Sequence, residues 1–367
     1  MSVKRRLNYS NLTHELPLLK VDWHKKRDKI VDASSPEVYL FISRHVDIHH
    51  PDTIISDKKQ DDHYRDYEHV HSLITLSRVN DIRRINKHFE TINEKLKKSG
   101  LFICCAETKD LRKKRILEKY APGINYLMYT LDFIVKRIFP KFTLTKKIYF
   151  LLTRGNNRVL SRAETLGRLY SCGFEVLEEK TIQGKLYLAA RKTRAPYYDS
   201  HPTYGPLVRL KRIGKDGKII KVYKFRTMHP YAEYIQEYVF KRNHLCRGGK
   251  FNNDFRVTTL GKFMRSCWID ELPMMINFFK GEIKLMGVRP LSTQYFQLYP
   301  EILQKLRIQY KPGLIPPYYA DLPASLEDII QSELNYLLKF RQHPLKTQFT
   351  YFRKALYNIL VKKARSS

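Results

Sequence analysis

The spacing of apolar and polar positions divides the first half of the chain into short strands and helices. Apolar runs predict five strands, at 36–42, 69–76, 101–107, 173–179 and 185–191. The last two predict an antiparallel pair that turns at Gly184. Helical spacing predicts helices at 78–98, 109–120, 124–139 and 161–171, and we expect Gly100 to cap the first of them. This alternation indicates a small α/β domain over 36–195, after an irregular arm at 1–35.

The second half has a mainly helical pattern. Residues 207–228 predict a β-hairpin closed by Gly214 to Gly217. Helical segments follow at 231–242, 259–268, 270–280 and 348–365. The last of these carries basic residues beside an apolar stripe. The stripe consists of Phe349, Phe352, Leu356, Ile359 and Leu360. A stretch rich in Pro and Tyr precedes the hairpin and indicates a domain boundary. We therefore predict a largely helical α+β domain over 196–367.

Charge narrows the class of partner. The 68 Lys and Arg against 36 Asp and Glu give a formal net charge of +32, which favours an anionic partner. Nucleic acid, an anionic bilayer and a phosphorylated substrate all fit that description. No nucleic-acid-binding motif occurs, so we expect no nucleic acid. The five cysteines show no CxxC spacing, which argues against a disulfide framework and a zinc site.

Asp270 and Glu271 are the strongest candidates for chemistry. They stand just before Pro273, and Pro favours the first turn of a helix, so we expect both carboxylates at a helix N-terminus, ionised by the dipole. An ionised Asp can act as the nucleophile in phosphoryl transfer, and a paired carboxylate can help to hold Mg²⁺. An ordinary helix start is the alternative. Three nearby arginines, Arg256, Arg265 and Arg289, favour phosphate chemistry, because guanidinium groups bind phosphate oxygens bidentately.

The segments HPTYGPLVRLKRIGKDGKIIKVYKFRTM and DFRVTTLGKFMRSCWIDELPMMINFFKGEIKLMGVRPLS closely resemble the bacterial sugar transferase family over about 201–321. These are monotopic phosphoglycosyl transferases that begin the synthesis of capsule, O-antigen (lipopolysaccharide) and exopolysaccharide. The resemblance implies transfer of a sugar-1-phosphate from a UDP-sugar to polyprenyl (undecaprenyl) phosphate, through an aspartyl-phosphosugar intermediate. It also implies the cytoplasmic face of the bacterial inner membrane, and an association with later glycosyltransferases of the pathway.

The same resemblance assigns roles to individual residues. Asp270 matches the nucleophile and, with Glu271, the Mg²⁺ ligands. The remaining positions match residues that bind substrate or border the site, namely Lys224, Phe225, Arg226, Thr227, Asp254, Arg256, Thr258, Arg265 and Arg289.

Residues 69–193 more weakly resemble the C-terminal half of a Rossmann-type methyltransferase, which implies a partial Rossmann-like sheet. The first glycine of the chain is Gly100. Cofactor binding in that fold requires a glycine-rich turn after the first strand, so we expect a degenerate, scaffolding domain. A non-catalytic assembly factor of a polysaccharide pathway is therefore the alternative function for the chain.

Two segments of the sequence are candidates for contact with a membrane. The apolar re-entrant helix of the family is replaced here by RKTRAPYYDS. The nearest apolar segment is 124–142, which we interpret as an amphipathic helix packed on the α/β domain, with membrane insertion as the alternative. The basic C-terminal stripe offers a second route to an anionic membrane surface.

Overall fold

The structure is a computed structural model that describes residues 23–57, 67–198, 205–243, 254–362 and 364. It divides into two compact units. The first contains the described residues through Lys119 together with 155–158 and 172–197, and the second contains 120–154, 159–171 and the described residues from Tyr198 onward. Helices between 120 and 171, which the pattern assigned to the first domain, therefore belong to the unit that carries Asp270.

The first unit is built on a five-stranded mixed sheet. Its elements are α1 (Trp23–Ala33), α2 (Pro36–Ser43), β1 (Thr53–Ser56), β2 (Val70–Arg78), α3 (Ile85–Lys95), β3 (Leu96–Ala106), α4 (Lys109–Lys119), β4 (Phe174–Ile182) and β5 (Lys185–Lys192). The strand order is β1-β2-β3-β5-β4. The first three strands are parallel, and β5 runs antiparallel to both neighbours. The coarse prediction of an α/β chain with a parallel-containing sheet is confirmed, as is the terminal hairpin at Gly184 (φ 74°).

Helices cover both faces of this sheet. Phe41 and Ile42 of α2 share a core cluster with Ile74 and Ile103 of the central strands. On another side of the sheet, the ring centroid of Phe89 in α3 lies 5.7 Å from that of Phe102. Burying large apolar side chains against each strand is what stabilises a parallel sheet.

Three local predictions in this unit are wrong. Residues 36–42 form helix α2 instead of a strand, because Ser35 caps it by accepting from Val38 N and Pro36 occupies its first turn. Residues 23–33 of the expected irregular arm form α1, and the rest of that arm lies outside the described residues. Gly100 lies within β3 and caps no helix, because α3 ends at Lys95 and the strand begins at once.

The second unit is largely helical. Its helices are α5 (Ile124–Phe133), α6 (Thr143–Thr153), α7 (Arg162–Ser171), α8 (Gln236–Asn243), α9 (Thr259–Ser266), α10 (Met274–Phe279), α11 (Thr293–Phe296), α12 (Glu301–Ile308), α13 (Tyr318–Asp321), α14 (Leu326–Gln342) and α15 (Pro344–Leu360). Its strands are β6 (Leu207–Ile213), β7 (Ile219–Phe225), β8 (Lys284–Met286) and β9 (Gly313–Ile315). Within the described ranges, no helix is both long and apolar enough to cross a bilayer.

Two small strand pairs organise this unit. The β6–β7 hairpin is confirmed, and its turn places Asp216 (φ 55°) and Gly217 (φ 72°) in the left-handed region. Strands β8 and β9 are parallel, and a core that includes Met286, Tyr336 and Tyr351 packs against them.

Helix α15 packs through a face different from its apolar stripe. Its buried residues are Thr347, Tyr351, Ala355 and Asn358. Of the stripe, Phe349 and Leu360 remain 69% and 68% exposed. The stripe is therefore not what attaches the helix to its own unit.

Candidate active site

Strand β7 and helix α10 place Lys224 against Glu271. The Lys224 Nζ donates to Glu271 Oε1 at 2.5 Å. Asn277 of α10 accepts from Tyr223 N at 3.0 Å and donates to Lys221 O at 2.8 Å. These bonds fix α10, and the turn before it, against the strand. Burial lowers the pKa of Lys224, and the charge of Glu271 acts in the opposite direction.

Asp270 and Glu271 lie in a separate 3₁₀ turn, Ile269–Glu271. The turn follows Trp268, whose φ of 62° redirects the chain, and helix α10 begins only at Met274. The predicted helix over 270–280 therefore starts late, and the two carboxylates precede it. A helix of six residues carries a small dipole, so helix position is not what governs their charge.

The ionisation of Asp270 is governed by its neighbours. Asp270 is 6% exposed and Glu271 is 8% exposed. Burial, followed by the like charge of Glu271, raises the pKa of Asp270, while Lys224 and Arg265 act to lower it. The expectation of a carboxylate kept ionised by a dipole is wrong. The ionised form of Asp270 is instead favoured by the nearby cations Lys224 and Arg265.

Helix α9 carries Arg265 to the carboxylates. Thr258 caps this helix by accepting from Gly261 N at 2.8 Å, and its hydroxyl also donates to Thr227 O at 3.2 Å. A Cβ on Gly261 would lie 2.0 Å from Thr227 O, so only glycine permits this approach. The Arg265 Nε donates to Thr227 Oγ1 at 3.0 Å. The matched residues Thr227 and Thr258 thus position the guanidinium beside Asp270.

A small open cleft adjoins the 3₁₀ turn that carries Asp270 and Glu271. Four charged side chains line it, namely Arg212, Lys224, Glu271 and Arg289. Arg289 donates from Nη1 to the Tyr318 hydroxyl at 3.2 Å, and its carbonyl accepts from Arg307 Nη2 at 2.5 Å. Burial, followed by the charge of Arg289, lowers the pKa of Arg212. Three cations and one carboxylate around a cleft form a site for an anion with several charged oxygens.

Three matched residues have other partners. Arg256 binds Asp254 bidentately, with Nη2 2.8 Å from Oδ2 and Nε 2.9 Å from Oδ1. Arg226 donates from Nε to Gly205 O at 3.0 Å. None of these three lines the cleft. Asp270 and Arg265 do not line it either, but Asp270 interacts electrostatically with the lining residues Glu271 and Lys224, and Arg265 with Asp270. Asp254 and Arg256 therefore brace the loop before α9, and of the predicted residues Lys224, Arg265, Arg289, Asp270 and Glu271 are the ones that the fold brings together.

The carboxylate pair has an oxygen available for a cation. Asp270 Oδ1 is buried and has no hydrogen-bond partner among the described residues. Adjacent carboxylates with a free oxygen suit a hard cation such as Mg²⁺. Within the described ranges, no group of three or more His, Cys, Asp or Glu could enclose a metal, so such a cation would take further ligands from phosphate or water.

The segment that forms this cleft resembles a known protein family. Residues 199–343 match the bacterial sugar transferase family. Galactosyl transferase CpsE of Streptococcus agalactiae is 38% identical over 28% of this chain and 23% of its own length. A UDP-glucose:undecaprenyl-phosphate glucose-1-phosphate transferase of Klebsiella pneumoniae is 38% identical over 30% of this chain and 22% of its own length.

The matched relatives extend well beyond the aligned part. Exopolysaccharide production protein ExoY of Sinorhizobium fredii is 32% identical over 28% of this chain and 48% of its own length. The chain thus spans under a quarter of the first two relatives and about half of the third. The resemblance predicted from the motifs is confirmed for the sugar transferase segment, which contains the whole cleft and ends before α15.

Sequence reasoning missed two polar residues that line the cleft. Arg212 pairs with Ile220 across the hairpin, which puts it on the same strand face as Val222 and Lys224. Alternation along the predicted strands was therefore a usable signal. Tyr318 reaches Arg289 from α13, which follows in a separate part of the chain. No local pattern in the sequence indicates that contact.

Proposed function

We propose that the chain transfers a sugar-1-phosphate from a UDP-sugar to polyprenyl phosphate. Asp270 attacks the phosphorus that bears the sugar, the bond to the bridging oxygen breaks, and UMP leaves. A phosphate oxygen of the polyprenyl acceptor then attacks the same phosphorus. Asp270 is released, and the product is a lipid-linked diphosphosugar. The two steps balance without any other reactant.

The observation that carries this proposal is the position of Asp270. Its carboxylate is buried, has an oxygen without a hydrogen-bond partner among the described residues, and lies beside Arg265 and Lys224. Cations fixed around the reacting phosphate neutralise charge that develops in the transition state. Asp270 and Glu271 are the residues that would hold Mg²⁺, which neutralises diphosphate charge when it is bound.

The relatives support the substrate class and the setting. The Klebsiella pneumoniae relative is named for UDP-glucose and undecaprenyl phosphate. By analogy we propose a nucleotide-sugar donor, a polyprenyl acceptor and a place at the cytoplasmic face of the bacterial inner membrane, where later glycosyltransferases would extend the product. ExoY is named for exopolysaccharide production, which supports the same class of pathway.

The test is UMP release by the full chain from a panel of UDP-sugars that includes UDP-glucose and UDP-galactose, with Mg²⁺ present. We expect UMP release and a radiolabelled sugar-phosphate bound covalently to the protein. Added undecaprenyl phosphate should move that label to the lipid. A folded protein that releases no UMP from any UDP-sugar and acquires no label would contradict the proposal and favour a non-catalytic assembly factor.

We also expect Arg212 to bind the diphosphate. Arg212→Ala should lower kcat/KM for the UDP-sugar by about 10- to 150-fold, the value of a charged hydrogen bond of about 1.5–3 kcal/mol. Lys211 is the matched control, because it is the adjacent basic residue on the opposite face of β6 and does not line the cleft. Equal losses in Arg212→Ala and Lys211→Ala, measured by UMP release, would argue against a specific contact.

A further inference from the structure

Two consecutive helices of the second unit turn their apolar sides outward. Helix α5 and helix α6 are joined by a π-helical stretch, Ile134–Ile138, and a 3₁₀ turn that contains Pro140. We call residues 124–153 the two-helix segment. It lies outside the sugar transferase match, which begins at residue 199.

Helix α5 buries none of its residues. Its apolar side chains recur along one face that continues into the π-helical stretch, with exposed fractions of 57% for Ile124, 59% for Leu127, 50% for Leu131 and 39% for Val135. Positions i, i+3, i+7 and i+11 share one side of a helix. An apolar stripe at this spacing normally faces a protein core, yet here it faces away from the unit. The interpretation of 124–142 as an amphipathic helix packed on the α/β domain is therefore wrong.

Helix α6 repeats the arrangement. Leu144 is 79% exposed, Ile148 53%, Leu151 80% and Leu152 76%. These positions, i, i+4, i+7 and i+8, also form one face. Tyr149, which points to another side of the helix, is buried. The helix is therefore attached through one side and presents leucines and isoleucine on another.

A buried ion cluster attaches the two-helix segment to its unit. The Arg137 Nη1 donates to Glu164 Oε2 at 2.5 Å and to Val159 O at 2.8 Å. Glu164 Oε1 in turn accepts from Arg168 Nη2 at 2.9 Å. The segment is thus anchored by Arg137, between the two helices, and by the buried Tyr149 of α6, and by neither apolar stripe.

We propose that the two-helix segment binds the surface of an anionic bilayer, with both stripes among the acyl chains and its axes near the plane of the membrane. Each helix of 10 or 11 residues is about 15 Å long, half of the ~30 Å needed to cross the hydrocarbon core. A segment this short and this apolar on one side suits the interface.

Charge favours a lipid surface over a second copy of the chain. Between 120 and 154 the sequence has a single acid, Asp132. Besides the buried Arg137, which pairs with Glu164, its basic residues are Lys136, Lys141, Lys146, Lys147 and Arg154. Lys146 and Lys147 are exposed on α6 beside the stripe. Two copies of so basic a surface would repel each other, whereas anionic lipid headgroups attract it.

The inference rests on the proposed function only for the reason why the chain would bind a membrane, which is that a polyprenyl acceptor resides in a bilayer. Binding itself can be measured without catalysis. Flotation with vesicles of phosphatidylcholine and phosphatidylglycerol would compare the full chain with the variant Leu144→Gln/Leu151→Gln/Leu152→Gln. A matched control is Leu40→Gln/Leu298→Gln/Ile302→Gln, which changes three apolar side chains that are 57%, 60% and 79% exposed elsewhere.

We expect the α6 variant to lose at least about tenfold in vesicle partitioning, the control to bind like the parent chain, and parental binding to persist at about 1 M NaCl, where the Debye length is about 3 Å. Brominated acyl chains should quench the fluorescence of the tryptophan introduced by Leu144→Trp, and should not quench that of the tryptophan introduced by Leu298→Trp. The α6 variant should still release UMP in detergent.

Unchanged vesicle binding by the α6 variant would overturn the inference. So would a concentration-dependent dimer that this variant abolishes while vesicle binding stays unchanged. If no protein releases UMP but the stripe still controls vesicle binding, the proposed function fails and the membrane surface stands.

Discussion

Asp270→Asn is expected to reduce UMP release by about 10⁴-fold or more and to abolish the covalent label, because an amide cannot replace a nucleophilic carboxylate. The substitution keeps the shape of the side chain. The fold itself disfavours the charged form, since burial and Glu271 raise the pKa of Asp270. The neutral amide should therefore leave the free energy of unfolding unchanged or slightly increase it.

The contrast with Asp254→Asn makes this result specific. Asp254 accepts three side-chain hydrogen bonds from Arg256 at 2.8–3.1 Å, whereas Asp270 Oδ1 has no hydrogen-bond partner among the described residues. Asp254→Asn should lower stability, with a much smaller loss of UMP release per folded molecule. Parallel urea titrations and UMP assays separate the two effects. Asp270→Asn protein that still forms the labelled adduct would refute the assigned nucleophile.

Features set by local chemistry could be predicted from the sequence. The β6–β7 hairpin follows from a turn that requires left-handed φ at Asp216 and Gly217. The order of motifs placed Asp270, Glu271 and Arg265 in one segment, and the fold brings their side chains near one another. The apolar run at 36–42 predicts a strand. The Ser35–Pro36 cap before it instead favours a helix, which is what the structure shows.

Features set by tertiary contacts could not be predicted. An apolar stripe identifies a face of a helix but not what covers it, which is why the outward direction of α5 and of Phe349 in α15 was undetermined. Likewise, α11, α12 and β9 separate Arg289 from Tyr318 in the chain, and no local pattern encodes the contact between them. Residues 120–154 belong to the second unit, where Arg137 pairs with Glu164, and no sequence spacing encodes that pairing.

Glu164→Gln is expected to lower the free energy of unfolding by about 3–5 kcal/mol at pH 7, because it removes the negative charge that two buried guanidinium groups share. The Arg137, Glu164 and Arg168 side chains are 7%, 3% and 2% exposed. Glu237→Gln is the control, since its i,i+4 pair with Lys241 is exposed and should contribute only about 0.3–0.5 kcal/mol.

The pH dependence gives an independent check on Glu164. Burial alone would raise the pKa of this carboxyl, but Arg137 and Arg168 outweigh it and hold the pKa far below its ordinary range. The stabilisation is therefore fully present above the unfolded pKa of about 4.3 and is lost as pH falls below that value. Urea titrations from neutral pH downward should show the parent chain converging on Glu164→Gln. A constant difference between the two proteins across that range would mean that Glu164 stabilises by packing and not by its charge.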